Sequence, residues 1–166
     1  METSYSNSFR RLGIATLRTN ETLPYPTEWD RIDGSMKAVF IETSEFTEWV
    51  SEHLTDDLYS SLQQELMADP EKGDVIKGSE GLRKVRVADP KRKKGKRGGA
   101  RIIYLHVPEA RWFYMLDIYG KDEKDEKDDL SNDEKKFLSE LCDELRMEAV
   151  ASLQKQKQTG KRGKKS

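Results

Sequence analysis

The stretch Leu82 to Val107, LRKVRVADPKRKKGKRGGARIIYLHV, decides how the chain is read. Its two ends, Leu82 to Val87 and Arg101 to Val107, are rich in β-branched residues and bracket a connection of Lys, Arg and Gly, which predicts two strands joined by a basic loop. Side chains alternate along a strand, so Val85 and Val87 share one face with Arg83, while Lys84 and Arg86 share the other with Leu82. If the valines face a core built with helices, Lys84 and Arg86 project together from the opposite face. Arg101 shares its face with Ile103, Leu105 and Val107. It therefore reaches Lys84 only if strand twist or a bulge at Gly98 and Gly99 turns it outward.

Charge separates this ribbon from the rest of the chain. Leu82 to Arg101 holds ten Lys or Arg against the single acid Asp89, whereas the whole 166-residue chain has a net charge of −1. Cations clustered beside glycine backbone suit a polyanion, because phosphate contacts are their usual use. Lys121 to Glu148 opposes the loop in sign, with twelve acids against six Lys or Arg.

Working outward, the composition bounds the rest. With 34% apolar and 37% charged residues, one small core is expected, with the charged surplus on surfaces and ends. The only cysteine, Cys142, excludes an internal disulfide and a cysteine metal cluster. No run approaches a membrane span and no secretory signal is visible, which leads us to expect a cytoplasmic protein.

Residues 1–35 hold scattered polar residues, Pro24 and Pro26, and no sustained periodicity. Met36 reads as a natural start for the compact unit, so 1–35 is expected to be a poorly ordered extension. Lys37 to Glu42 reads as a strand and Thr43 or Ser44 as a helix N-cap. Phe46, Trp49, Val50 and Leu54, then Leu58, Tyr59, Leu62 and Leu66, recur at helical spacing. The second helix should stop near Asp69 and Pro70, before glycine-marked turns around a short Val75–Ile76 piece. Trp112 to Tyr119, joined to the preceding strand through Pro108, Glu109 and Ala110, is apolar on both faces and should be central. Ser131 and Glu134 form a capping-box pattern ahead of the stripe Phe137, Leu138, Leu141, Cys142 and Leu145. From Gln154 the sequence is basic and aperiodic, so 149–166 is expected to be a disordered tail, leaving 36–148 as the folded domain.

Inventory narrows the chemistry. His53, near a helix end, and His106, in a strand, read as structural or solvated, and no P-loop, nucleophile elbow or dinucleotide fingerprint is present. Asp122 to Asp129 lacks the glycine and ligand spacing of a calcium loop. Cys142, on a helical stripe, reads as a buried thiol without chemistry. What remains is a set of cations: Lys84, Arg86 and Arg101 around a flexible Lys91 to Arg97 loop. In RNA cleavage a 2′-hydroxyl attacks the adjacent phosphorus and negative charge grows on the phosphoryl and leaving oxygens, which forked Arg donors stabilise. A lysine among other cations can share in proton transfer. The competing reading is that Lys84 and Arg86 merely solvate a strand face. Tyr104 and Tyr119 could stack on bases, although strand aromatics usually belong to cores.

Three motifs, GDVIKGSEGLRKVRV (Gly73 to Val87), GKRGGARIIY (Gly95 to Tyr104) and FYMLDIYGK (Phe113 to Lys121), together with the order of elements, resemble the RelE/HigB toxins of bacterial type II toxin–antitoxin systems, most closely the HigB branch. The resemblance covers roughly Met36 to Arg146. It implies an α+β fold: a small, twisted antiparallel sheet, two N-terminal helices packed on it, and a C-terminal helix. It also implies a ribosome-dependent messenger-RNA endonuclease, an mRNA interferase that inhibits translation from the ribosomal A site and needs no metal or other cofactor. The partner implied is a HigA-like helix-turn-helix antitoxin, with no membrane involved. By position, Lys84, Arg86 and Arg101 match the catalytic basic residues. The resemblance assigns contacts with mRNA and ribosomal RNA to the loop Lys91, Arg92, Lys93, Lys94, Lys96 and Arg97, and to Tyr119 and Lys121. The chain departs from the family after the last strand, where YGKDEKDEKDD offers only Lys121 directly after Gly120; the general acid is left among Tyr119, Lys121 and the ribosome itself. That departure supports the alternative of a non-catalytic module that blocks translation by occupying the ribosome. A third reading is an inactive partner that binds an acidic protein through the same loop.

Overall fold

The computed structural model describes residues 38–121 and 132–162. The expected extension 1–35 and the acidic run at 122–129 lie outside the described residues. Strand β1 (Val39–Glu42) leads into helices α1 (Ser44–His53) and α2 (Asp56–Ala68); strands β2 (Asp74–Val75), β3 (Arg83–Val87), β4 (Ala100–Val107) and β5 (Trp112–Gly120) follow, and helix α3 (Asn132–Arg162) closes the order. The fold is α+β.

Both early helices begin on threonine caps. Thr43 Oγ1 accepts from the Phe46 amide at 3.1 Å, and its hydroxyl donates to the Leu116 carbonyl at 2.8 Å, which fastens the start of α1 to the central strand. Thr55 Oγ1 accepts from the Leu58 amide at 3.3 Å and starts α2. These bonds satisfy amides that the helix itself leaves without acceptors.

The sheet order is β1-β5-β4-β3-β2. The strands that follow one another without an intervening α-helix, β2 through β5, are antiparallel, as expected. β1 instead runs parallel to β5, pairing Val39 with Trp112 through Glu42 with Met115, so the sheet is mixed. The reason is connectivity: β1 reaches β5 only through the intervening helices and strands, so no hairpin fixes its direction. β5 lies between β1 and β4, and all its residues are buried.

Each face of the sheet carries its own core. Phe46, Leu62 and Leu66 from α1 and α2, with Leu54 between the two helices, pack with Val85, Val87, Ala100, Ile102, Tyr104, Phe113, Met115 and Ile118. On the opposite face Leu138, Leu141, Cys142, Leu145 and Ala149 of α3 cover Leu82, Ile103, Leu105, Val107, Trp112, Tyr114, Leu116 and Tyr119. Register shifts between Ile103 and Tyr104, which pair with Asp117 and Met115, so Leu116 is the extra residue of a bulge on β5. That bulge lets Leu116 and Asp117 follow one another without breaking either core, because an added residue reverses the alternation beyond it. Gly98 and Gly99, weighed as one of two ways to turn Arg101 outward, precede β4.

α3 continues to Arg162, so the boundary expected at residue 148 falls within a helix; among the described residues its last buried position is Ala149. No helix of the described residues is long and apolar enough to cross a membrane.

Candidate nucleic-acid interface

Lys84 pairs with Ile103 and Arg86 with Arg101 across β3 and β4. All four therefore share the face that α3 packs against, with Val85 and Val87 on the other. This removes the difficulty over Arg101: Ile103, Leu105 and Val107 belong to the α3 core, not to the valine core, and Arg101 needs no outward turn. α3 covers Ile103 and Leu82 but leaves the end of this face at Lys84 and Arg86 open. Arg86 is exposed and Lys84 half-buried. Among the described residues neither side chain has a hydrogen bond or ion pair. Arg101 is different, being only 2% exposed and donating from Nη2 to the Arg97 carbonyl at 3.2 Å. That bond ties the end of the basic loop to β4.

An open pocket of about 300 Å³ sits on this face, lined by Lys72, Gly73, Asp74, Lys84, Val85, Arg86 and Lys96. Sequence reasoning missed Lys72 and Asp74, because the Gly73-Asp74 pair read as a turn. The extended piece expected at Val75 and Ile76 begins one residue earlier, and Asp74 pairs with Lys84. Two straps hold this approach. Arg83 Nη1 donates to the carbonyls of Glu71 and Gly73 at 2.9 and 2.8 Å. Tyr104 donates to the Pro70 carbonyl at 2.8 Å and accepts from the Gly73 amide at 3.4 Å. Burial raises the Tyr104 pKa above the usual phenol value, which keeps the hydroxyl a donor.

The Lys91 to Arg97 loop, expected to be flexible, is folded. Pro90–Arg92 forms a 3-10 turn, Lys93 adopts a left-handed φ of 56°, and Asp89 and Lys94 exchange backbone hydrogen bonds at 2.8 Å. Asp89 organises it: Oδ1 accepts from the Arg92 amide at 3.1 Å and Oδ2 lies 2.7 Å from His53 Nδ1 at the end of α1. Lys91 donates to the Ser51 carbonyl of α1, so it points away from the pocket. Lys93, Lys94, Lys96 and Arg97 are exposed, as is Arg92, whose Nε stands 3.9 Å from Asp89. Lys121 is exposed beside the loop base, with its amide on the Gly99 carbonyl at 3.1 Å. Tyr119, expected to meet RNA, is corrected: at 2% exposure it is part of the α3 core opposite Arg101. Ring stacking needs an open face, which a core tyrosine lacks.

Other groups offer little chemistry. Burial pushes the Cys142 thiol up to about 12, and it donates to the Ser79 carbonyl at 3.1 Å. Among the described residues no group of three or more His, Cys, Asp or Glu is placed to hold a metal ion. The surface gathers Lys72, Lys84, Arg86 and Lys96 at one open pocket and presents further cations from a shaped loop. A family model described as "RelE toxin of RelE / RelB toxin-antitoxin system" matches residues 38–162.

Proposed function

Because the chain belongs to the RelE toxin family and is thereby a toxin of a toxin–antitoxin system, we propose that it is a ribosome-dependent endoribonuclease that cleaves messenger RNA during translation. The observation that carries this reading is the convergence of Lys84, Arg86 and Lys96 on one open pocket. In this mechanism the scissile phosphate enters that pocket. The Arg86 fork and the Lys84 ammonium meet the charge that develops on the phosphoryl oxygens, where positioned donors contribute most. Arg101, the register partner of Arg86, holds the end of the basic loop beside them. Lys93, Lys94, Arg97, Arg92 and Lys121, all exposed, supply the salt-sensitive contacts to structured ribosomal RNA. The site works where ribosomes are, and a HigA-like antitoxin encoded beside it would silence it by covering this face; the sequence resemblance to the HigB branch supports that partner.

The test is to map messenger-RNA 5′ ends on stalled ribosomes after induction of the full chain and of the Lys84→Ala, Arg86→Ala double variant. New 5′ ends are expected within the A-site codon for the wild type, and a loss of at least about 10²-fold in the variant. Translation arrest with intact transcripts would instead establish inhibition by occupancy.

A further inference from the structure

The pocket contains a single carboxylate among its cations. Asp74 lies opposite Lys84 in the β2–β3 register and lines the same cavity as Lys72, Lys84, Arg86 and Lys96. Directly opposed residues of an antiparallel pair place their Cβ atoms about 5 Å apart on one face, so the carboxylate stands at the wall where the phosphate is to be held. Its position is built rather than incidental. A Cβ on Gly73 would lie 2.7 Å from the Lys84 carbonyl oxygen, so only glycine lets the chain close onto β3 there. The Arg83 and Tyr104 straps hold the residues before it from the other face.

We propose that Asp74 is the catalytic base that takes the proton of the attacking 2′-hydroxyl. The inference rests on the endoribonuclease reading and completes it with a group of opposite character. Protonated Lys and Arg are donors without an acceptor, whereas a carboxylate is an acceptor only. As Asp74 removes the 2′-proton, the 2′-oxygen forms its bond to phosphorus and the phosphorus–5′-oxygen bond breaks with its electron pair leaving on the 5′-oxygen. That oxygen takes a proton from a pocket ammonium, Lys84 or Lys96. The products are a 2′,3′-cyclic phosphate and a 5′-hydroxyl, and a water returns the proton from Asp74 to the lysine. The alternative is a plain counter-charge for Lys84, in which case removing the carboxylate strengthens RNA binding and leaves the chemical step alone.

The experiment is single-turnover cleavage of end-labelled mRNA on programmed ribosomes by the full chain, followed across pH, for the wild type, Asp74→Asn and Asp74→Glu, with ribosome affinity measured separately. Asp74→Asn is expected to slow the chemical step by about 10²-fold or more at unchanged or tighter affinity. Its rate should rise in proportion to hydroxide where the wild-type rate has levelled, and Asp74→Glu should restore part of the rate. Wild-type cleavage with an undiminished Asp74→Asn rate overturns the assignment of Asp74 alone, as does a loss confined to affinity. Absence of cleavage by the wild type overturns the endoribonuclease reading and this inference with it.

Discussion

The carboxylate of Asp89 lies 2.7 Å from His53 Nδ1, with both side chains 1% exposed, and this contact joins the end of α1 to the start of the basic loop across 36 residues of sequence. A buried polar pair of this kind costs more to break than its net worth in the intact protein, because the partner left behind is desolvated and unpaired. It explains why a segment so rich in like charge has a fixed shape.

Asp89→Ala is therefore expected to lower stability by about 3 kcal/mol and to release the loop before the domain unfolds. Hydrogen exchange reads this directly: the Lys94 amide, bonded to the Asp89 carbonyl at 2.8 Å, should lose protection while the β5 amides keep theirs. Unchanged exchange at Lys94 would mean that the loop holds its shape without this pair.

Arg86 and Arg101 are register partners, yet their substitutions should separate. Arg86 is exposed, and Arg86→Ala is expected to change stability by less than about 0.5 kcal/mol. Arg101→Ala removes a side chain 2% exposed together with its bond to the loop, and should cost about 3 kcal/mol in urea denaturation. If Arg101→Ala melted like the wild type, its burial and its bond to the loop would contribute nothing to stability.

The element order and the shared face of Lys84 and Arg86 were legible because they depend on local patterns: threonine caps, helical spacing and strand alternation. Arg101 was harder, since alternation tells which residues share a face but not how many cores the sheet has. With one core assumed, its face conflicted with that of Lys84; with a core on each side, the conflict vanishes. Asp74 escaped because a two-residue strand has no period to detect. His53 and Asp89 escaped because their pairing depends on tertiary approach. Tyr119 has the composition of a base-stacking residue and the burial of a core one, and composition does not distinguish them. The continuation of α3 past Ala149 has no apolar stripe to announce it.

Three glycines give graded outcomes. A Cβ at Gly99 would collide with the Val87 carbonyl and fall 2.8 Å from that of Gly95, and one at Gly73 would fall 2.7 Å from the Lys84 carbonyl, whereas Gly95 has nothing within 4 Å. Backbone atoms cannot swing aside as a side chain can. Gly73→Ala should cost about 1–3 kcal/mol and loosen β2 from β3, and Gly99→Ala should cost more. Gly95→Ala should be neutral or slightly stabilising through the unfolded state. Equal melting temperatures for all three would refute the close approaches.

Two titrating groups tilt the pH dependence of stability in opposite directions. His106 stacks on Phe113 with ring centroids 4.5 Å apart, and burial lowers its pKa. The folded protein therefore favours the neutral ring: this contribution is complete above the ordinary histidine range near about 6.5 and is lost as pH falls through the lower folded value. Burial instead raises the pKa of Glu148, against the lowering effect of the Tyr114 hydroxyl at 3.4 Å. Its contribution is present below the ordinary glutamate range and is lost as pH rises through the folded value. His106→Phe, which keeps a ring on Phe113, should flatten the stability profile on the acid side of the ordinary histidine range, and only slightly, because solvent screens a half-exposed ring. Glu148→Gln should be more stable than the wild type near neutrality and lose that advantage as pH falls through the carboxylate range. Urea denaturation of both variants across pH decides the matter, and a Glu148→Gln advantage that grows on acidification would reverse the sign argued from its burial.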